Sequence, residues 1–504
     1  MAATEADEIV FEHLSENRSR AALRGAFWSA LDTLIPTALN SIVFIVTSRY
    51  LQPQDFGLVA LAFAVVSFAA GFGPTAFGEA LIQQTSIRRS HLDTVFWMTF
   101  LSAAVLYAVL FAASVPLSHF LGHGEIAGLL AIIGLKVFFD MMIVVPNALI
   151  ARTMSFHLAA ARTAIATSVS AVICLSLIFA GFGLWALAIA QIAAPAAACV
   201  AAFWGARWLP GFRLKPASLR ELLRYGVFAS GNRFLQTMNL DQLIIGTLIS
   251  PTALGIYNFA RRLFEMLNQV VAGGLTSVTH VLLSSLQADK AKVREAFLMA
   301  TFGCSLVSFP AFMGLAAVAG DAIPLIFGEH WEAAIWPVRF FCVIGLMAGI
   351  GIVQASLINS QGRSNWWFYY QLVRNIVTIL TILLLYKYDV ATIVFVMMLG
   401  VFVLWPVTLY MVSKLIGLSI WQYFAQFLGP TAACIGMLAV ILALSAGLQD
   451  WPAGWRLAVE IVVGGTTYSA LILLMCRERI MFLVRAALKA RRQKSQPQPA
   501  AGGA

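Results

Sequence analysis

Long apolar runs alternate with short polar breaks along nearly the whole chain, and the runs are too long for strands. An apolar stretch of about 20 residues crosses the hydrocarbon of a bilayer as a helix. Fourteen such stretches can be counted, at 24–48, 56–82, 92–116, 124–148, 158–180, 184–206, 222–248, 254–284, 296–318, 333–358, 366–386, 389–412, 424–446 and 456–476. The pattern predicts an all-α polytopic membrane protein. Polar positions inside the runs are ordered. Trp28, Asp32, Pro36 and Asn40 fall four apart, so they share one helix face turned away from lipid. Gly71-Phe-Gly73-Pro74 interrupts the second run; no Gly-Lys-Ser/Thr follows to make a phosphate loop, so a helix kink is expected there.

The chain also starts over. Arg224-Tyr-Gly226-Val-Phe-Ala-Ser230 opens an apolar run that turns at Pro251-Thr-Ala-Leu-Gly255. Earlier, Arg24-Gly25-Ala-Phe-Trp28-Ser29 opens a run that turns at Pro53-Gln-Asp-Phe-Gly57, with the same Pro-x-x-x-Gly spacing. Phe120-Leu-Gly122 and Ile326-Phe-Gly328 echo each other more weakly. Such repetition points to an internal duplication, a common way of building transporters. Six runs precede the longest break, so the second six are expected as a parallel repeat. The expected organisation is an acidic cytoplasmic N-terminus (1–21), an N-lobe of six helices (22–206), a basic linker (207–221), a C-lobe of six helices (222–414), two further helices (415–476) and a basic tail (477–504). Within that tail, 480–494 reads as an amphipathic helix on the membrane surface.

Composition agrees: 60% of residues are hydrophobic and 11% charged, against roughly 25% charged in soluble domains. The net charge of +10 would suit nucleic acid, but its distribution does not. Twenty-four of the 33 Lys and Arg fall in loops on one side of the predicted membrane, and only Arg49, Lys387 and Arg456 in loops on the other. That bias places both termini in the cytoplasm and makes membrane lipids, not nucleic acid, the partner of the basic excess. The acidic first twenty residues do not make a cleavable signal. Six cysteines stand singly, without a Cys-x-x-Cys pair, so neither a disulfide framework, a metal site nor a cofactor is expected.

The chemistry lies in charges inside the apolar runs. Lys136, Arg233, Arg261, Arg262, Arg339 and Arg374 each cost roughly 3 kcal/mol at the bilayer centre, so they cannot all face lipid. Lys136 and Asp140 stand one turn apart, as a self-neutralising pair or as part of a substrate site. Arg261 and Arg262 can reach Glu265 at helical spacing. Guanidinium forks match phosphate and diphosphate oxygens, which makes Arg233, Arg261, Arg339 and Arg374 the candidate anion site of a water-filled cavity. The alternative is that each pairs with an acid on another helix and only orients packing. Asp32, Asp140, Asp241 and Glu265 are candidates for proton or ion coupling. Gly345-x-x-x-Gly349 marks a close helix-packing surface.

Several short motifs, in this order and spacing, carry a resemblance: Pro53-Gln-Asp55-Phe-Gly57; Glu79-Ala-Leu-Ile-Gln83-Gln84; Asp93-Thr-Val-Phe-Trp97; Ala151-Arg152-Thr-Met-Ser-Phe156; Gly181-Phe-Gly183-Leu-Trp185; Glu221-Leu-Leu-Arg224-Tyr-Gly226; and Asp241-Gln-Leu-Ile-Ile-Gly246 with Ala253-Leu-Gly255-Ile-Tyr257. Over about residues 20–415 the chain resembles the polysaccharide transporter branch of the multidrug/oligosaccharidyl-lipid/polysaccharide exporter superfamily, in particular flippases for O-antigen, colanic-acid and teichuronic-acid-type units. The resemblance implies two six-helix lobes around a central cavity, two appended helices and alternating access in the bacterial inner membrane. The implied substrate is an undecaprenyl-diphosphate-linked oligosaccharide, with polysaccharide polymerase or export machinery as possible partners; no bond is made or broken. The competing expectations are an ion-coupled small-molecule exporter of the same superfamily and, below it, a membrane glycan polymerase. A strongly cationic cavity would favour the flippase, an apolar-aromatic one the exporter.

Overall fold

Proline and glycine punctuate the helices. The computed structural model describes residues 8–9, 18–74, 76–84, 87–212, 239–285 and 289–495. They form α1 (Arg18–Tyr50), α2 (Pro53–Ala70), α3 (Phe77–Gln83), α4 (Arg89–Leu121), α5 (Glu125–Gly134), α6 (Lys136–Met142), α7 (Val144–Arg152), α8 (Phe156–Phe179) and α9 (Leu184–Ala206). Then come α10 (Leu240–Leu248), α11 (Pro251–Ser285), α12 (Lys290–Phe327), a 3-10 turn at Glu329–Ala334, α13 (Ile335–Ser360), α14 (Ser364–Leu385), α15 (Val390–Ile416), α16 (Ile420–Phe424), α17 (Leu428–Gly447) and α18 (Ala453–Ser495). A two-residue antiparallel pairing of Glu8–Ile9 with Ile87–Arg88 is the one strand pairing among the described residues.

Eleven helical stretches among the described residues are long and apolar enough to cross a membrane, which makes this a multi-pass membrane protein. α1 and α11 fall on the first and eighth expected runs; of the seventh, 222–248, only the end is described. The second run differs from expectation. It is two helices, α2 and α3, instead of one kinked span. Gly71 closes α2, its N–H bonding to Ser67 O. Pro74 has no N–H to continue the ladder and biases the residue before it away from the helical region. A side chain at Gly73 would strike Met141. By contrast α8 and α9 part where expected, at Gly181 (φ +84°) and Gly183 (φ +56°).

The helices gather into two compact units, one of Met1–Asn258, Ile326–Trp331 and Ile382–Asp389, the other of Phe259–Leu325, Glu332–Thr381 and Val390–Ala504. Within the first, the two copies of Pro-x-x-x-Gly play the same part. Each proline opens a helix, α2 or α11, after a gap of two residues from the end of the preceding helix; proline suits that position because its missing N–H would be unpaired there anyway. The two first turns then cross each other. A Cβ on Gly57 would overlap Pro251 O, and one on Gly255 would overlap Pro53 O. Only glycine at both positions lets the backbones meet.

Elsewhere in this unit Phe77, Leu81, Leu92, Val95, Phe96, Val145 and Leu149 form a buried cluster that joins α3, α4 and α7, with Trp208 beyond α9 packed into it. In the second unit, Gly345 and Gly349 face Phe312, Ser308 and Cys304 on α12, and Cys304 Sγ donates to Gly349 O at 3.0 Å. That is the small-residue packing surface expected of α13.

Candidate functional site

In the first unit, α2, α3, α6, α7 and α8 enclose a cavity of about 740 Å³, within the range of sites that hold sizeable ligands. Its charged lining side chains are Glu79, Lys136, Asp140 and Arg162. Lys136 and Asp140 stand one turn apart on α6 and pair at 2.7 Å, as the self-neutralising reading expects, and both line the cavity. Arg162 donates to Asn147 Oδ1 on α7 and to Thr163 Oγ1 at 3.2 Å. Asp32 on α1 is close enough to act on Arg162 electrostatically, and its Oδ1 is buried with no hydrogen-bond partner. Two cations and two anions therefore line this cavity, inside a wall that is otherwise mostly apolar.

Arg162 is the residue that sequence reasoning misplaced. It counts among the loop cations there, although the run 158–180 contains it. The loop after α7 is only a short turn, tightened by Met154 at φ +50°, so α8 begins at Phe156 and carries Arg162 two turns into a helix long enough to cross the membrane.

In the second unit a smaller cavity of about 230 Å³ lies among α13, α14 and α15, lined by Arg374, Tyr370, Trp367, Trp405 and Gln354 among others. Gln354 Nε2 donates to Tyr423 Oη at 2.9 Å. Arg261 on α11 pairs with Glu265 at 2.8 Å and lies near enough to Arg374 for their charges to interact. The structure thus brings together two of the four candidate arginines. Arg339 stands apart from them: its Nε donates to Ala316 O at 3.2 Å and its guanidinium lies 4.9 Å over the Trp336 ring. Arg233 lies outside the described residues. Of the four candidate acids, Asp140 and Asp32 belong to the first cavity and its margin, Glu265 to the Arg261 pair, and Asp241 accepts a hydrogen bond from Tyr257 Oη at 2.7 Å.

The short motifs turn out to be joints. Arg152 Nη1 donates to Leu81 O at 3.0 Å, to Ile82 O at 3.1 Å and to Gln84 O. It caps the C-terminus of α3, whose last carbonyls have no partner within the helix. Trp97 Nε1 donates to Gly211 O at 2.8 Å while Gly211 N donates to Asp93 Oδ1 at 3.0 Å. Asp93 and Trp97 together fasten the start of the basic linker to α4. Arg152 thereby ties α7 to α3, two walls of the first cavity, without itself lining it.

The family model for polysaccharide biosynthesis proteins matches residues 46–336. The succinoglycan biosynthesis transport protein ExoT of Rhizobium meliloti (strain 1021) is 28% identical over 333 residues, 66% of each chain. The teichuronic acid biosynthesis protein TuaB of Bacillus subtilis (strain 168) is 22% identical over 475 residues, 90% of this chain and 95% of that one. Among solved structures, the lipid II flippase MurJ in an inward closed conformation superposes with a TM-score of 0.71 at 13% identity, covering 91% of this chain and 100% of that one. At that identity the likeness is one of fold.

Proposed function

Because this chain belongs to the polysaccharide biosynthesis protein family, we propose that it is a flippase that carries undecaprenyl-diphosphate-linked oligosaccharide units across the bacterial inner membrane for exopolysaccharide, O-antigen or capsule synthesis. The glycan crosses through water-lined space while the polyprenyl tail stays in lipid, and alternating access delivers it to the outer leaflet. The observation that carries this proposal, beside the family, is that Lys136 and Arg162 sit on membrane-length helices yet open onto a cavity of about 740 Å³. Ionised groups at that depth are stable when they face a wet cavity or a partner, and here they have both. The balanced charge of the cavity suits a neutral or zwitterionic sugar lined by alternating donors and acceptors. The diphosphate, with its two negative groups, belongs with Arg261 and Arg374, where two guanidinium groups lie close to each other. Arg233 and Arg339 remain part of the proposed anion set, and Asp32, Asp140, Asp241 and Glu265 of the proposed coupling set.

The test is leaflet transfer of defined lipid-linked oligosaccharides in proteoliposomes. A charge-assisted hydrogen bond is worth about 1.5–3 kcal/mol, and about 1.4 kcal/mol is a factor of ten. Arg374→Gln is therefore expected to slow transfer roughly tenfold or more at unchanged protein content. Absence of transfer by the unaltered protein, alongside efflux of a cationic dye, would replace the flippase with an ion-coupled small-molecule exporter.

A further inference from the structure

A group of titratable side chains lies in the second unit away from the cavity there. Asp321 stands near the end of α12; Arg456 and Glu460, one turn apart, stand near the start of α18. Arg456 Nη2 donates to Asp321 Oδ1. Glu460 is 1% exposed. Its carboxyl lies close enough to that of Asp321 for the two to interact, while its Oε1 meets no donor. Of the helices that pack here, α13 brings one further charge, Arg339, whose guanidinium lies against Gly320 and whose Nε donates to Ala316 O. α17, which lies along α18, carries no charged residue between Leu428 and Gly447. On α12 the remaining charges, Lys290, Lys292, Arg294 and Glu295, are at the opposite end. Two turns beyond Glu460, Tyr468 Oη donates to Leu306 O at 2.9 Å and ties α18 to α12. The group is thus two carboxyls and one guanidinium, with Glu460 buried and Asp321 and Arg456 partly exposed.

Two neighbouring carboxyl groups repel each other while both are ionised, and can share a hydrogen bond once one of them holds a proton. Arg456 compensates one negative charge. Ionising the second carboxyl, with Glu460 buried, would leave a charge that Arg456 does not compensate, which is costly; a proton removes it. A metal cation fits less well, because the guanidinium beside the free oxygen repels it. A purely structural joint would need only Asp321 and Arg456, and a glutamine at 460 would fill the same space without a buried ionisable group. We propose that Asp321, Arg456 and Glu460 form a proton-binding site between α12 and α18, with Glu460 the group that takes up and releases the proton during transport. The coupling half of this rests on the flippase reading; the proton-binding half does not.

Two measurements separate them. In purified full-length protein in nanodiscs, infrared difference spectra across a pH step should show a protonated-carboxyl C=O band that Glu460→Gln removes and Asp321→Asn shifts. In proteoliposomes, a transmembrane pH gradient should change the rate of lipid-linked oligosaccharide transfer severalfold, and in Glu460→Gln the ratio of rates with and without the gradient should fall to one. A band that is absent, or that survives Glu460→Gln, overturns the proton site. A gradient response that is absent in the unaltered protein or undiminished in Glu460→Gln overturns the coupling. If the unaltered protein moves no such lipid at all, the flippase reading fails, and the infrared result still decides whether the proton site exists.

Discussion

Arg152 shows how a single cation in this chain can be structural where its neighbours are not. Its side chain is buried, and its guanidinium gathers three main-chain carbonyls at the end of α3. Arg162, ten residues on, holds a side-chain amide and borders a cavity. Both are arginines near the start of an apolar run, and nothing in their local sequence separates them; what differs is the acceptor each meets. Arg152→Ala leaves buried acceptors without donors, at about 1–3 kcal/mol, and lets α3 fray. Thermal unfolding in detergent should shift down by several degrees, with Arg152→Lys between the two because an ammonium can still donate. An unfolding temperature equal to that of the unaltered protein would show that the α3 carbonyls do not need this donor. Arg339, like Arg152, donates to a main-chain carbonyl, and its guanidinium also lies over an indole ring, whereas Arg374 opens onto a cavity.

Among the elements, the crossing of α2 and α11 is the feature that the repeated Pro-x-x-x-Gly anticipated without explaining. The recurrence was visible as spacing. That the two copies would meet each other, glycine against main chain, was not, because a repeat in sequence says nothing about which surfaces touch. Gly57→Val must push the first turns apart, and overpacking of this kind costs about 1–3 kcal/mol. Gly255→Val should cost a similar amount. Because both side chains would enter one crossing, the double substitution should cost less than the two single costs added together. Thermal unfolding of the three variants measures this, and full additivity would count against a shared crossing. Gly122 and Gly328, the weaker echo, also agree in structure: each follows the last turn of a long helix with positive φ, +71° and +110°.

At the level of the whole molecule, hydrophobic periodicity and the alternation of basic loops predict a polytopic chain with both ends in the cytoplasm. A cysteine placed at Ala504, in a background where the six native cysteines are changed to serine or alanine, should react with an impermeant maleimide only when the inner membrane face is exposed. Labelling from the outer face would reverse the orientation. Most of the helices could be foreseen, because about twenty apolar residues in a row have few other stable states in lipid. The parting of α8 from α9 and the glycine surface of α13 were equally plain, since each is set by residues close in sequence. The break between α2 and α3 was half foreseen: glycine and proline announced an interruption, but whether a helix bends or stops there depends on what packs against Gly73.

By itself, then, the order of residues determined the class of protein, the run of helices, the recurring Pro-x-x-x-Gly and the stock of charges that have to be sheltered from lipid, since all of these follow from local hydrophobicity and spacing. Tertiary structure alone decided which charge meets which partner: Arg162 with Asn147, Arg261 beside Arg374, Arg456 with Asp321 and Glu460. The reason is physical. Burial in lipid is a property of a segment, which twenty neighbours share, whereas a hydrogen bond or ion pair depends on a few ångströms between residues that can lie more than a hundred positions apart.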